Sequence, residues 1–225
     1  MKALVFDVNE TLLDLAALDA PFREVFGTAD VRREWFQQLL RSMLVSTVTG
    51  PYVEFPKLGR AALELVARRH GRTLDDAEAK KVLSRVRELP AHADVRPALE
   101  RLRDAGFRMA TLTNSTAEVA EAQLQNAGIR DLLERVLSAD SVKRLKPAPD
   151  AYVMAAAEME VAVSDVRLIA AHDWDVAGAL AAGCSAAFVG RSGAIPDPVF
   201  PIPDIVGPDL AAVADAILER DAARG

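Results

Sequence analysis

The sequence predicts an α/β protein, a doubly wound parallel sheet interrupted after its first strand by an all-helical block. Two textures along the chain carry that prediction. Up to residue 90, one apolar run, Ala3-Leu4-Val5-Phe6, is followed only by patterns with helical spacing. From about Asp94 onward, helical patterns alternate with short apolar runs. Strands separated by helices pair in parallel, with the helices covering both faces of the sheet.

Taken in order, Ala3–Phe6 reads as a strand buried on both faces, because it is continuously apolar rather than alternating. Helical patterns then span Ala16 to Phe26, Val31 to Thr49, Leu58 to His70 and Leu74 to Leu89, the last stopped by Pro90. A helix from about Asp94 to Ala105 is closed by Gly106, which accepts the left-handed conformation of a C-terminal cap; Phe107–Leu112 follows as a strand. Ala117 to Ala127 is a helix ended by Gly128, and Arg135–Ser138 is a short strand. The next helix opens at Pro149, whose missing N–H costs nothing in a first turn. Val166–Ala171 is a strand, a helix runs to Ala182, and Ala186–Val189 is a further strand. Gly190 to Pro208 carries five prolines and reads as a surface loop. Residues 1–13 and 91–225 would form the core domain. Residues 14–90 would be an inserted helical cap domain over the C-terminal edge of the sheet, where a cap excludes water and adds substrate contacts.

Composition narrows the function classes. The 225 residues are 51% hydrophobic and 27% charged, ordinary for a globular enzyme and unlike a disordered or collagen-like chain. A net charge of −6, with Lys143, Arg144 and Lys146 as the one basic cluster noted, argues against a nucleic-acid partner. No apolar stretch reaches the roughly 20 residues of a membrane span. Met1-Lys2 leads straight into the first strand with no length for a signal peptide, so a cytoplasmic protein without a membrane partner is expected. Cys184, the single cysteine, excludes an internal disulfide; in a turn of small residues it reads as packing rather than as a nucleophile. A Gly-x-Gly phosphate loop and a His-Glu-x-x-His zinc motif are both absent, and no cofactor is expected.

Four strand ends carry the polar residues that matter. Asp7 closes the first strand, at the sheet edge where open α/β folds bind their ligands. Thr113-Asn114-Ser115 follows the second and precedes a helix N-terminus, an anion-binding arrangement; capping accounts for Asn114 or Ser115 but not for three donors in a row. Lys146-Pro147 opens a loop–helix unit with Tyr152 about a turn and a half further on. At the fourth, Ala171-His172-Asp173-Trp174-Asp175 offers His172 or Asp175 as a base, although an aspartate in a first turn also serves as a helix-terminal charge.

In order and spacing these residues resemble the four motifs of the haloacid dehalogenase (HAD) superfamily, whose core is Rossmann-like, and most nearly its type II L-2-haloacid dehalogenases. That family has Asp-x-Tyr-Gly-Thr, then Ser-Asn, then Lys-Pro with a Tyr six residues after the Lys, then Trp-Asp. Here Asp7, Thr11, Asn114, Lys146, Tyr152 and Trp174-Asp175 fit, and the likeness covers nearly the whole chain, cap included. The resemblance implies that Asp7 attacks the halogen-bearing carbon of a small 2-haloalkanoic acid with inversion, forming an ester. It further implies that Lys146 neutralises Asp7, that Asp175 orients or deprotonates the hydrolytic water, and that Thr113 and Asn114 hold the substrate carboxylate or the departing halide. Relatives of this kind are often homodimers, and Met43–Val48 offers apolar surface that suits either a partner face or inward packing.

The departures are informative. Superfamily phosphatases use a second Asp in the first motif as acid and base, and Asn9 stands there; they bind Mg²⁺ through an Asp at the position of Ala171. A metal-independent reaction is expected, because halide leaves without a proton and without a cation on a phosphoryl group. Relative to the dehalogenases, Asn9 replaces Tyr, Glu10 replaces Gly, and Phe36 after Trp35 replaces a halide-binding Arg. Trp35, Phe36 and Phe55 form either an aromatic cradle or the cap's own core, and Arg32 and Arg33 are candidates to replace the lost cation. His172 replaces Asn, as a water-activating base or as a structural imidazole. Two other classes stay open: a Mg²⁺-dependent phosphatase that circumvents Asn9 and Ala171, and a binding protein that has lost catalysis.

Overall fold

The structure, a computed structural model, describes residues 3–222; the expected entry of Met1-Lys2 into the first strand lies outside them. Six strands, β1 (Ala3–Phe6), β2 (Arg108–Thr113), β3 (Arg135–Ser138), β4 (Val166–Ala170), β5 (Ser185–Val189) and β6 (Ile205–Gly207), form one all-parallel sheet in the order β3-β2-β1-β4-β5-β6. β1 sits at the centre, where the strand order reverses, and its carboxyl end is the crevice in which doubly wound sheets bind ligands. Both faces of β1 are covered. Leu4 and Phe6 pack with Leu99, Leu102 and Ile217 on one side, while Ala3 and Val5 pack with Ala155, Val176 and Phe188 on the other. That double burial is why the strand is apolar without alternation.

Between β1 and residue 90 the chain is helical. A 3₁₀ turn at Leu15–Leu18 leads into α1 (Asp19–Phe26), α2 (Val31–Thr49), α3 (Phe55–Arg69) and α4 (Asp76–Leu83). An antiparallel bridge from Leu13 to Ala91 brings the two ends of this block together at the sheet. After it come α5 (Val95–Asp104), α6 (Ala117–Asn126), α7 (Pro149–Glu158), α8 (Asp173–Ala181) and α9 (Leu210–Ala222).

Several boundaries differ from the sequence expectation for local reasons. α3 starts three residues before the expected Leu58, with Pro56 in its first turn, and Ser84–Glu88 tightens into a 3₁₀ turn beyond α4. The segment Gly190–Pro208, expected as a loop throughout, contains β6. That strand is a three-residue edge in which Ile205 and Gly207 are buried and Val206 faces out, too short for a periodic signal among prolines. Gly207 is obligatory there, since a Cβ would lie 2.9 Å from Val213 Cγ2 and 3.1 Å from its backbone nitrogen. The segment Met43–Val48 splits: Met43 is fully buried, whereas Val45 and Val48 are exposed. Among the described residues no helix is long and apolar enough to cross a membrane. Cys184 is buried, which pushes its thiol up to about 11 and leaves it un-ionised at neutral pH.

Candidate active site

The sheet register brings the strand ends together. Phe6 is level with Thr111 on β2 and with Ile169 on β4, so Asp7 emerges between the Thr113-Asn114-Ser115 turn and the Ala171–Asp175 turn. Lys146 reaches in from the loop before α7. Its ammonium lies 2.8 Å from Asp7 Oδ1, 2.6 Å from Asp175 Oδ2 and 2.8 Å from the carbonyl of Leu112. Lys146 and Asp175 are fully buried and Asp7 nearly so. A lysine sealed in this way needs both carboxylates, because an unpaired buried ammonium would lose its proton.

Each member is held by a second bond. Thr11 Oγ1 donates to Asp7 Oδ2 at 2.7 Å and accepts the Ala171 N–H at 2.9 Å, tying β1 to the end of β4. Tyr152 Oη donates to Asp175 Oδ1 at 2.6 Å. Burial pushes the Asp7 carboxyl up, but the Lys146 charge, with hydrogen bonds from Lys146 and Thr11, outweighs it and holds Asp7 below the usual carboxylate range. At Asp175 burial wins, helped by the nearby negative charge of Asp7, and its carboxyl lies above that range. Burial also works against the charge on Lys146, yet the two carboxylates more than offset it and raise the ammonium's pKa. Asp7 is therefore the member of the pair held ionised.

The other candidate residues divide between the cavity and its supports. A cavity of about 370 Å³ lies between the helical block and the sheet edge, walled by Trp35, Phe36, Leu39 and Phe55 with Asn9 and Ser115. Asn9 Nδ2 donates to Ser115 Oγ at 3.4 Å, and Asn9 Oδ1 accepts from Gln123 Nε2 at 3.0 Å. The His172 ring stacks on Trp174, with centroids 5.3 Å apart, and meets Phe36 at 5.9 Å. The two departures Phe36 and His172 thus touch one another. His172 Nε2 lies 3.2 Å from the carbonyl oxygen of Asn9 and 3.8 Å from carboxylate oxygens of both Asp7 and Glu10.

Four expectations are corrected by this geometry. Tyr152, which the resemblance implies as a substrate contact, is buried behind Asp175 and spends its hydroxyl there. Asn114, taken as an anion donor, accepts the Lys146 N–H at 2.8 Å and turns its own N–H groups to Met43 Sδ and the Lys146 carbonyl, so it fixes the lysine loop. Thr113 Oγ1 accepts the Ser115 N–H at 3.1 Å, which makes it a turn former. Arg32 pairs with Asp19 and Arg33 is exposed; the cation on the wall of the cavity is Arg87, bonded to Glu118 at 2.9 Å. Gln123 carries no expectation from the sequence, and Glu10 only that of a replacement for Gly. Gln123 had a signal, a wholly buried amide among Val119, Ala120 and Leu124 on the inner face of α6.

Fold and site together define a doubly wound α/β protein with a lysine-bridged carboxylate pair at the switch point of its sheet. A family profile described as haloacid dehalogenase-like hydrolase matches residues 1–183, and the chain belongs to that family. Haloacetate dehalogenase H-2 of Moraxella sp. (strain B) is 27% identical over 219 residues, covering 96% of this chain and 98% of that protein. (S)-2-haloacid dehalogenase 4A of Burkholderia cepacia is 31% identical over 201 residues, covering 88% and 86%. A solved dehalogenase with an intermediate complex is 28% identical and superposes with a TM-score of 0.88 over 96% of each chain. Magnesium-dependent members of the superfamily place a cation beside the nucleophile, and the residues here do not fit one. The Lys146 ammonium already bridges both carboxylates. Ala171 stands where a further carboxylate donor belongs, and among the described residues no group of three or more His, Cys, Asp or Glu side chains is arranged to hold a metal ion.

Proposed function

We propose that the protein is a metal-independent hydrolase that displaces halide from a small 2-haloalkanoic acid through an ester on Asp7. One observation carries this reading: a sealed carboxylate held ionised by a lysine, with an amide at Asn9 in place of the proton-transferring carboxyl that phosphoryl transfer requires. In the first half an Asp7 oxygen attacks C2 of the substrate, the C–O bond forms as the carbon–halogen bond breaks, and halide departs with the electron pair. Lys146 and Thr11 fix the direction of attack, while Asp175 and Tyr152 hold Lys146. In the second half water attacks Cγ of Asp7, and the 2-hydroxy acid leaves.

The cavity suits this class of substrate. About 370 Å³ with aromatic walls accepts a short alkyl halide, and Asn9 and Ser115 are among its polar lining residues. Residues 14–90 act as the cap that carries the aromatic wall of Phe36 and Phe55, and Trp174 stacks on His172 with Lys146 Nζ 5.9 Å from its ring centroid. A halide-release screen over 2-halo acids, with and without a chelator, tests the reading. Activity indifferent to chelator, abolished by Asp7→Asn, and delivering ¹⁸O from water into Asp7 in a single turnover is the expected result. Phosphate release that needs Mg²⁺, with no halide release, would replace it with the phosphatase reading.

A further inference from the structure

Gln123 is fully buried among Val119, Ala120 and Leu124 on the inner face of α6, where an apolar side chain would pack without the cost of desolvating an amide. Its Nε2 donates to the carbonyl oxygen of Val86 at 2.8 Å and to Asn9 Oδ1 at 3.0 Å, while its Oε1 is buried with no partner among the described residues. These two bonds orient both amides. The Val86 oxygen only accepts, so the Gln123 atom beside it is the NH2 group. Both hydrogens of that group are given, one to each partner, so the Asn9 atom it meets is the oxygen. Asn9 Nδ2 is thereby turned the other way, to Ser115 Oγ at 3.4 Å.

Asn9 and Ser115, 8% and 3% exposed, both line the cavity of about 370 Å³. Asn9 Nδ2 carries two hydrogens and makes one long bond; the Ser115 hydroxyl accepts that bond and donates to nothing among the described residues. Two nearly buried side chains thus hold spare donors at one place in the wall, and the amide oxygen of Asn9 is already engaged by Gln123. The first turn of α6 has the same polarity. Thr116 and Val119 line the cavity, the Thr116 side chain makes no capping bond, and the N-terminus of this ten-residue helix favours an anion. The two carboxylates on the wall, Glu118 and Glu54, are paired with Arg87 at 2.9 Å and with Lys57 at 3.1 Å.

We infer that Asn9 Nδ2 and the Ser115 hydroxyl receive the carboxylate of the substrate, and that Gln123 is the positioning residue that keeps Asn9 turned as a donor. For the identity of that substrate the inference rests on the dehalogenase reading above. An Asn9 amide rotated by half a turn would present Oδ1 to the cavity, and the same wall would then repel a carboxylate. Such a rotation would also set Asn9 Nδ2 against Gln123 Nε2, donor against donor. The bond to Val86, in the 3₁₀ turn beyond α4, holds the Gln123 group so that it does not turn with Asn9. Where the resembling family has Tyr, this chain places an amide whose direction is set from α6.

The test is a ligand-observed NMR titration of the full-length protein with propionate and with propionamide, which have nearly the same shape and no halogen to lose. The wild type is expected to bind propionate about 10- to 100-fold more tightly, the worth of hydrogen bonds to a charged group. Asn9→Asp keeps the acceptor for Gln123 Nε2 and loses the Nδ2 donor, so it is expected to keep a native circular dichroism spectrum and lose that preference. Ser115→Ala, which adds no charge, is expected to lower propionate affinity about 10-fold with propionamide little changed. Gln123→Met frees the Asn9 amide and is expected to reduce the preference in the wild-type background but not in Asn9→Asp, a coupling that a merely structural role would not produce. Equal binding of the two ligands by the wild type, or a preference that survives Asn9→Asp, would overturn the inference. Additive losses in the double variant would overturn the part assigned to Gln123. A wild type that prefers propionate yet releases no halide from 2-chloropropionate would overturn the dehalogenase reading and leave the carboxylate site standing.

Discussion

Replacing Lys146 by Met removes the one ammonium that bridges Asp7 and Asp175 while keeping most of the buried stem. The two carboxylates, 2.8 and 2.6 Å from Nζ in the native protein, are then left sealed and facing each other. Breaking a buried ion pair from one side costs about 3–5 kcal/mol, which for a chain of this size lowers the melting temperature by roughly 6–20 °C. The penalty also acquires a pH dependence. In the wild type Asp7 lies below the usual carboxylate range, so the stability it contributes is fully present above that range and fades as pH falls through the native value. In Lys146→Met at least one carboxyl must sit above that range, because two like charges desolvated together favour a shared proton. Its stabilisation is then largest in acid and is lost as pH rises, so the gap between the two proteins widens from about pH 4 to about pH 8. Urea unfolding of both proteins across that interval measures the gap, and the halide burst should collapse with it as Asp7 takes up the proton. A gap that is flat with pH, or smaller than about 1 kcal/mol near neutrality, would refute the bridged-pair account.

Tyr152→Phe removes the hydroxyl that donates to Asp175 at 2.6 Å, and chemical denaturation should show a loss of about 1–3 kcal/mol with KM little changed, since Tyr152 is buried behind Asp175 and does not line the cavity. Gly178→Ala places a Cβ 2.5 Å from Pro147 Cβ and 2.6 Å from Tyr152 Oη, so it should push the Lys146-Pro147 loop off Asp7; kcat should fall about 100-fold while circular dichroism stays native. Because Asp7 is held below the usual carboxylate range, the halide burst rate should stay level down to about pH 5 in stopped-flow assays, and a burst that titrates away near neutrality would contradict that assignment. Asp94→Asn weakens the grip of Arg191, bonded to both Asp94 oxygens at 2.8 Å and to the Thr11 carbonyl at 2.9 and 3.1 Å. Thermal melts should drop by an amount corresponding to about 2 kcal/mol.

Most elements were legible because each is written in local periodicity. The continuous apolar run of β1, the glycine after α5 and the proline at the start of α7 report backbone and burial requirements felt by neighbours in the chain. β6 was not legible: a three-residue edge strand owes its existence to Val189 and Gly207 meeting across the sheet, a contact with no periodic trace.

At the site the same division holds. Strand-end placement singles out Asp7, Lys146, His172 and Asp175 from sequence, since a parallel sheet delivers every strand's carboxyl end to one edge, and Thr11 comes with the family resemblance. What each side chain does there depends on partners from other elements of the fold. Asn114 turns to the Lys146 backbone, Tyr152 goes behind Asp175 rather than into the cavity, and Phe36 lies against His172. Glu10 shows the limit most clearly. By sequence alone it was a substitution for glycine beside the nucleophile. Only the fold shows its left-handed backbone and brings its carboxylate within 3.8 Å of His172. Chain order sets which backbone ends meet at the sheet edge; the packing of side chains from four strand ends and α2 decides what each polar group touches there.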